Sequence, residues 1–315
     1  MRVSLATDVF TESTALTDIL DLLRAFSFGH HDLLVAEPGI ITAATEYLNE
    51  HAPNLASAYE TLASKGTVAS VWTATSAQGP VIQVNSATLA DHSADLRRPA
   101  VFVVEDQESD GHFIKALCTV FRATRIQKAL AEDWLRIEHG GGSGGVEKVA
   151  KVHAGRFRLF RRVAALLDSD RLIPGQQTKA HKQATHLESD GVIVHVLEFR
   201  EAENYVPNRV LDRARNRRQA SGMLTHLKRL TEQQRAHFDM KKGFAASGVI
   251  LPEQQPLYAS LGMRATQGLR GGFGSDLLRR LEEDSAALTE RDFDGLGAGV
   301  VPELRGLLDK LASVI

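Results

Sequence analysis

Two apolar stretches in this 315-residue chain end in clustered carboxylates. VFVVED closes on Glu105 and Asp106, and ALLDSD closes on Asp168 and Asp170. In an extended chain residues i and i+2 point to the same face, so Asp168 and Asp170 are expected to aim at one point. Two carboxylates so placed repel unless a cation lies between them. Magnesium takes oxygen ligands in octahedral geometry and keeps several waters. Glu105, brought in from a neighbouring strand, would complete a site for one or two such ions. Taken alone, the DSD triplet also reads as a capping turn, with Asp170 as the N-cap of whatever follows.

The elements that must position these groups form a regular pattern. AVFVVED (100–106), DWLRIEHG (133–140), RRVAALLDSD (161–170) and GVIVHVLEFREAENY (191–205) read as four strands. Helical spacing over 111–130 and a short helix over 146–155 lie between them. Continuous apolar strands alternating with helices imply a parallel sheet covered on both faces. Ligands of such sheets bind outside the carboxyl ends of the strands, where both acidic clusters fall. Between two of the strands runs EHGGGSGG (138–145). It reads either as a flexible linker or as a loop whose glycines let backbone N–H groups approach phosphate. Its place within one sheet favours the loop. Gly141, Gly142 and Ser143 are then candidate nucleic-acid contacts, with the next helix start at Val146 adding donors.

The flanks carry less chemistry. In residues 1–95 the pattern predicts a helix over 14–26, a short apolar run at 31–38 and two helices over 39–64 split near Pro53. Strands are expected at 67–75 and 80–88, with a Gly-Pro turn between them. ADHSADLRRP (90–99) reads as a polar bridge and a domain boundary. Residues 206–315 look largely helical, with a turn at 241–243, a break at 268–274 and helices at 275–289 and 302–314. This divides the chain into an N-terminal α/β domain (1–95), a central domain (96–245) and a helical C-terminal extension (246–315).

Composition bounds the reading. Apolar residues make up 43% of the chain, enough for a substantial core. Cys118 is the only cysteine, which excludes an intrachain disulfide and a cysteine zinc cage; its apolar helical setting marks it as core. No apolar run approaches the roughly 20 residues that span a bilayer. The N-terminus lacks the apolar core of a secretory signal, and a cytoplasmic location is expected. A net charge of −2 argues against binding nucleic acid by overall charge, but basic residues crowd 156–162 and 209–229. Arg209, Arg213 and Arg217 are expected on a helix after ENYVPN with Asn208 as N-cap. They read either as a solvated face or as a strip for phosphates.

Residues ~100–245 resemble a Toprim domain, the catalytic fold shared by topoisomerases, primases and several nucleases. Glu105 matches that family's strand-end glutamate, and Asp168 and Asp170 match its Asp-x-Asp pair. The likeness is closest to the Toprim nucleases of bacterial phage defence, the overcoming-lysogenization-defect type with its stand-alone and retron-associated relatives. EHGGGSGG resembles their glycine-rich loop, EFREAENYVP their Arg-x-x-Glu-Asn-Tyr segment, and HFDMKKGF their Met-Lys-Lys-Gly segment. Two departures stand out. Asp106 replaces the glycine that often follows the glutamate, and Asp110 lies five residues on rather than four. No GxxxxGK[ST] phosphate loop occurs, so an ATPase would have to be a separate chain.

The resemblance implies an α/β fold with a Rossmann-like Toprim catalytic domain, and a Mg²⁺- or Mn²⁺-dependent endonuclease using two ions. Glu105 is implied as metal ligand or general base, and Asp168 and Asp170 as ligands. Glu203, with Glu201 as a rival, would bind a second cation, and Asp110 is a further ligand candidate. Lys241 or Lys242 would stabilise charge on the scissile phosphate. The implied substrate is DNA, or RNA such as tRNA. Antiviral defence would call for a regulatory partner, an ATPase or a reverse-transcriptase complex, and a homo-oligomer is compatible. Other Toprim chemistry, topoisomerase- or primase-like, and a catalytically degenerate scaffold are the alternatives.

Overall fold

The protein was analysed as a computed structural model that describes residues 1–12, 15–35, 37–73, 81–213, 217–245, 247 and 249–315. The chain runs through β1 (Arg2–Leu5), α1 (Leu16–Ser27), β2 (Asp32–Leu34), α2 (Pro38–His51), α3 (Pro53–Thr73), β3 (Val81–Val84) and α4 (Leu89–Leu96). It continues through β4 (Ala100–Val104), α5 (Ser109–Val120), α6 (Thr124–Ala131), β5 (Leu135–His139), α7 (Ser143–Ala154), β6 (Val163–Leu167), α8 (Lys179–Ser189) and β7 (Ile193–Val196). Helical segments follow: α9 (Asn208–Leu211), α10 (Arg217–Leu227), α11 (Glu232–Ala236), α12 (Gln255–Tyr258), α13 (Met263–Gly268), α14 (Leu277–Asp284), α15 (Arg291–Asp294) and α16 (Val300–Ser313). None of the described helices is long and apolar enough to cross a membrane.

Two parallel sheets organise the molecule. The first has the order β2-β1-β3, the second β5-β4-β6-β7. In the second sheet the chain leaves β4 toward β5 on one side and then returns to β6 on the other. The strand order therefore reverses between β4 and β6, and a crevice opens at their carboxyl ends. β4 and β6 are buried along their whole length, which explains their unbroken apolar sequence. Alternate residues of β4 feed opposite cores. Phe102 and Val104 pack toward α5 and the C-terminal helices, and Val101 and Val103 toward α7 and α8. Apolar residues from Leu269 to Ile315 belong to the same core as β4 and α5, while Met1–Leu96 enclose a separate one. Cys118 is buried, and burial pushes its thiol up to about 12.

Three expectations need correction. Residues 67–73 are helical, not a strand, because α3 continues without a break from Pro53 to Thr73. Gly66 permits this: a Cβ there would lie 2.7 Å from the Leu33 carbonyl oxygen, so only glycine lets α3 run this close over β2. The Gly-Pro turn expected at 79–80 lies outside the described residues. The helix expected over 111–130 is two helices, separated at Arg122, whose φ of 55° is left-handed. The third concerns 90–99, which is no polar bridge. Its first part is α4, with Asp95 wholly buried.

Asp95 joins the two sheets' territories. Its carboxylate accepts the backbone N–H groups of Arg158 (2.9 Å), Leu159 (2.7 Å) and Phe160 (3.0 Å). Nearby Arg158 pairs with Asp91 at 2.7 Å, and the fully buried Arg162 donates to the Val314 carbonyl at 2.9 Å and to that of Arg98. The Arg162 guanidinium also stacks over Trp134, 4.6 Å from the ring centroid. In the basic run at 156–162, Arg162 is thus spent inside the fold, and Arg158 is paired at the surface. Removing a buried acceptor strands its donors at about 1–3 kcal/mol each. Asp95→Ala is therefore expected to destabilise the protein by about 3 kcal/mol or more, read as a lower urea midpoint, with Asp95→Asn costing less.

Candidate metal centre

Each acidic side chain reaches the crevice for a local reason. Glu105 is the first residue beyond β4. Asp106, which follows it, turns its carboxylate onto the amides of Glu108 and Ser109, both at 2.9 Å, and so starts α5. That turn carries Asp110 back toward the strand end, where its Oδ2 accepts the Asp106 N–H at 3.0 Å. Asp168 follows β6 directly and accepts the Ala202 N–H at 3.1 Å. Ser169 points the other way and donates to the Phe199 carbonyl at 2.7 Å.

Asp168 meets Glu201 and Glu203. One carboxylate oxygen from each of the three lies within 4.8 Å of the others. Asp170 stands outside this triad, exposed on a left-handed turn (φ 53°) whose N–H donates to the Arg200 carbonyl. Its charge bears on Glu105 instead. The two aspartates of DSD thus serve neighbouring parts of one acidic patch, because the chain bends out of strand geometry after Leu167.

The turn that presents Glu201 and Glu203 is pinned by its neighbours. Asn204, wholly buried, donates to the carbonyls of Arg235 (2.8 Å) and Phe238 (2.9 Å) and accepts the Glu201 N–H through Oδ1 (3.2 Å). Tyr205 donates to Glu303 at 2.6 Å and accepts the Phe199 N–H at 2.9 Å. The same asparagine bridge holds the segment 235–241 against the turn. It delivers Lys241, whose ammonium lies 2.9 Å from Glu201 Oε2 and 3.1 Å from Glu203 Oε1. Lys242 is exposed, with only its backbone N–H engaged, by Asp239. Lys241 is therefore the lysine of this site. The turn depends on Gly243 (φ 65°), where a Cβ would sit 2.1 Å from the Leu269 carbonyl oxygen.

The glycine loop flanks the patch. Gly140 and Gly142 donate their N–H groups to the carbonyls of Val104 and Glu105. Gly141 and Gly142 have φ values of 75° and 88°, and Ser143 opens α7. A Cβ on Gly145 would fall 1.8 Å from the Gly140 carbonyl oxygen, so this loop is a tight, specified turn rather than a tether. His139 is exposed, its Nδ1 facing the Gln107 N–H at 3.4 Å. Lys179, at the first position of α8, lies near Gly144 and acts on Glu105. A cation at a helix N-terminus opposes the dipole, and that mismatch was a readable signal for a residue the sequence analysis passed over.

Electrostatics follow from the crowding. Burial, then Asp170 and Asp110, push Glu105 up to about 7, against relief from Lys241 and Lys179. Asp168 is held well above the ordinary carboxylate range by burial and by Asp110, Glu203, Glu105 and Glu201. Burial raises Asp110, and burial with Glu203 raises Glu201. Burial pulls Lys241 down, but Glu203 and Glu201 outweigh it and hold the ammonium protonated. Glu105 Oε1 and Glu201 Oε1 are buried with no hydrogen-bond partner. An all-oxygen donor set with orphaned carboxylate oxygens fits a hard divalent cation.

The expected basic strip is less free than its sequence implies. Arg213 pairs with Asp284 at 2.8 Å and Arg209 with Asp292 at 3.7 Å. Asn208 is the first residue of α9 rather than its N-cap, and its Oδ1 accepts from Arg235 at 2.5 Å. A second helix begins at Arg217, and residues 214–216 between the two lie outside the described residues.

Because Glu105 titrates above its ordinary value in the fold, the stability it contributes is present at low pH and lost as pH rises through about 7. In EDTA the melting temperature should fall from pH 5 to pH 8, and Glu105→Gln should flatten that fall between pH 5 and about 7. An identical slope in the variant would refute the assignment. No protein-family model matches the chain, and no curated protein and no solved structure matches it either.

Proposed function

We propose that the protein is a metal-dependent nuclease of Toprim type, cutting phosphodiester bonds in DNA or in RNA such as tRNA. The observation that carries this reading is the convergence of Glu105, Asp168, Glu201, Glu203 and Lys241 at the switch point of a parallel sheet. The residues present fit Mg²⁺ or Mn²⁺, held by Asp168, Glu201 and Glu203, with Glu105, Asp110 and Asp170 available to a second ion. Bound there, such ions would supply Lewis-acid polarisation of the phosphate and a more acidic attacking water.

The chain's own groups have distinct tasks. Glu105 titrates near neutrality, the range in which a carboxylate can accept a proton from a water at physiological pH. Lys241 places a positive charge where a phosphate oxygen gains charge. The amides at the start of α7, with that of Gly141 ahead of them, offer donors to a flanking phosphate, whereas the Gly142 N–H is spent on the Glu105 carbonyl. The antiviral role and the regulatory partner, an ATPase or a reverse-transcriptase complex, belong to this proposal through the resemblance alone.

A topoisomerase-like strand transfer is disfavoured by one observation. It needs an accessible tyrosine nucleophile, and the four tyrosines, Tyr47, Tyr59, Tyr205 and Tyr258, are all at most 5% exposed. The test is cleavage of plasmid DNA and of total tRNA with Mg²⁺ or Mn²⁺ and with EDTA. Cutting should require the metal. Asp168→Ala should lower it by about 100-fold or more, since even residues one layer behind a metal ligand cost about 10–100-fold. Cutting that persists in EDTA or in Asp168→Ala would overturn the assignment.

A further inference from the structure

Glu201, Glu203 and Lys241 form a closed charge set in the deepest part of the crevice. Glu201 and Glu203 are 7% and 3% exposed, among the least accessible carboxylates of the described residues. The Lys241 ammonium touches one oxygen of each, at 2.9 and 3.1 Å. The second Glu201 oxygen, Oε1, is buried with no partner. The lysine therefore neutralises this corner only in part.

The same two glutamates belong, with Asp168, to the triad in which one carboxylate oxygen from each residue lies within 4.8 Å of the others. Ligand oxygens about 2.0–2.6 Å from a single divalent ion have that spread. An ion held by these carboxylates would enter the corner in which the ammonium now bridges Glu201 and Glu203. A monovalent and a divalent cation cannot share it, because two positive charges at this separation repel strongly in a partly desolvated site.

We propose that Lys241 is the resident counter-ion of Glu201 and Glu203, and that a divalent cation entering there displaces it. This deepens the metal-centre reading and rests on it. The backbone around Lys241 is fixed, since its carbonyl accepts the Gly274 N–H at 3.2 Å and Asn204 holds the preceding segment. Exchange is thus a swing of the side chain alone, and the side chain is 34% exposed, with solvent to swing into. A released ammonium is then free to meet a substrate phosphate, so one lysine serves two anions in turn. Until an ion arrives, the folded site is stabilised in part by its own lysine.

Two measurements on the full chain test this, both with Ca²⁺ or Mg²⁺ alone. By calorimetric titration, Lys241→Gln should bind the ion about tenfold tighter than wild type, the scale on which one nearby unit charge shifts an equilibrium. In wild type, labelling of Lys241 by an amine-reactive reagent, read by mass spectrometry, should rise several-fold as Ca²⁺ is added. Lys242 is the internal reference and should not change. The labelling experiment needs no variant and stands if Lys241→Gln fails to fold. Ion binding with no gain in Lys241 labelling, or equal or weaker binding by Lys241→Gln, would overturn the exchange and leave the nuclease reading intact. No ion binding by wild type and variant would remove the metal-centre reading and this inference with it.

Discussion

The crowding of carboxylates at one partly buried point is the constraint on which the rest of the structure depends. Glu105, Asp110, Asp168, Glu201 and Glu203 share a crevice that burial keeps short of water, and the other four all make Asp168 harder to ionise. Such a cluster costs stability unless something specific balances it. Lys241 balances two of the five directly. Asp168 leans on the Ala202 amide and Asp110 on that of Asp106. Two orphaned oxygens mark where that internal balance stops. A fold that maintains this arrangement has a site poised to take up cations.

The scaffold is built to hold those groups against their repulsion. β4 and β6 are wholly apolar and buried, so they anchor the two strand ends rigidly. Neither strand end could bring in Glu201 and Glu203, which lie beyond β7 on a separate turn. Asn204 solves this by bonding to the Glu201 amide within the turn and to two carbonyls 31 and 34 residues on, tying the glutamate turn to the segment that ends in Lys241. Tyr205 locks the turn from below through Glu303 of α16, so the C-terminal helix takes part in site geometry. The helical region after residue 246 packs into the same core as the sheet, and its last helix supports the turn that carries Glu201 and Glu203.

The N-terminal sheet is attached by a different device. One tether is a buried carboxylate, Asp95, gripping three consecutive amides, reinforced by the buried Arg162. Charges that look like surface features in a linear reading are consumed here. The same holds for Arg209 and Arg213, which meet acidic partners on the C-terminal helices. Exposed pairs of this kind contribute little stability and are readily screened, so they remain exchangeable with other anions.

Local pattern determined the apolar strands at 100–104 and 163–167, the alternation with helices, and the placing of Glu105 and Asp168 at carboxyl ends, because burial on both faces leaves an unbroken apolar signature. The lysine pair and the glutamate pair came from the family resemblance, not from the pattern. The pattern did not separate Lys241 from Lys242, or show that Glu201 acts together with Glu203. Those choices depend on Asn204 bonds spanning about thirty residues, which no local period records. Residues 67–73 read as a strand from their β-branched content, yet tertiary packing of α3 over β2, allowed by Gly66, made them helical. The polar run at 90–99 and the basic run at 156–162 each looked like surface. Only the folded chain brings Asp95 to the amides of 158–160 and buries Asp95 and Arg162, since the partner that satisfies a buried charge lies far away in sequence.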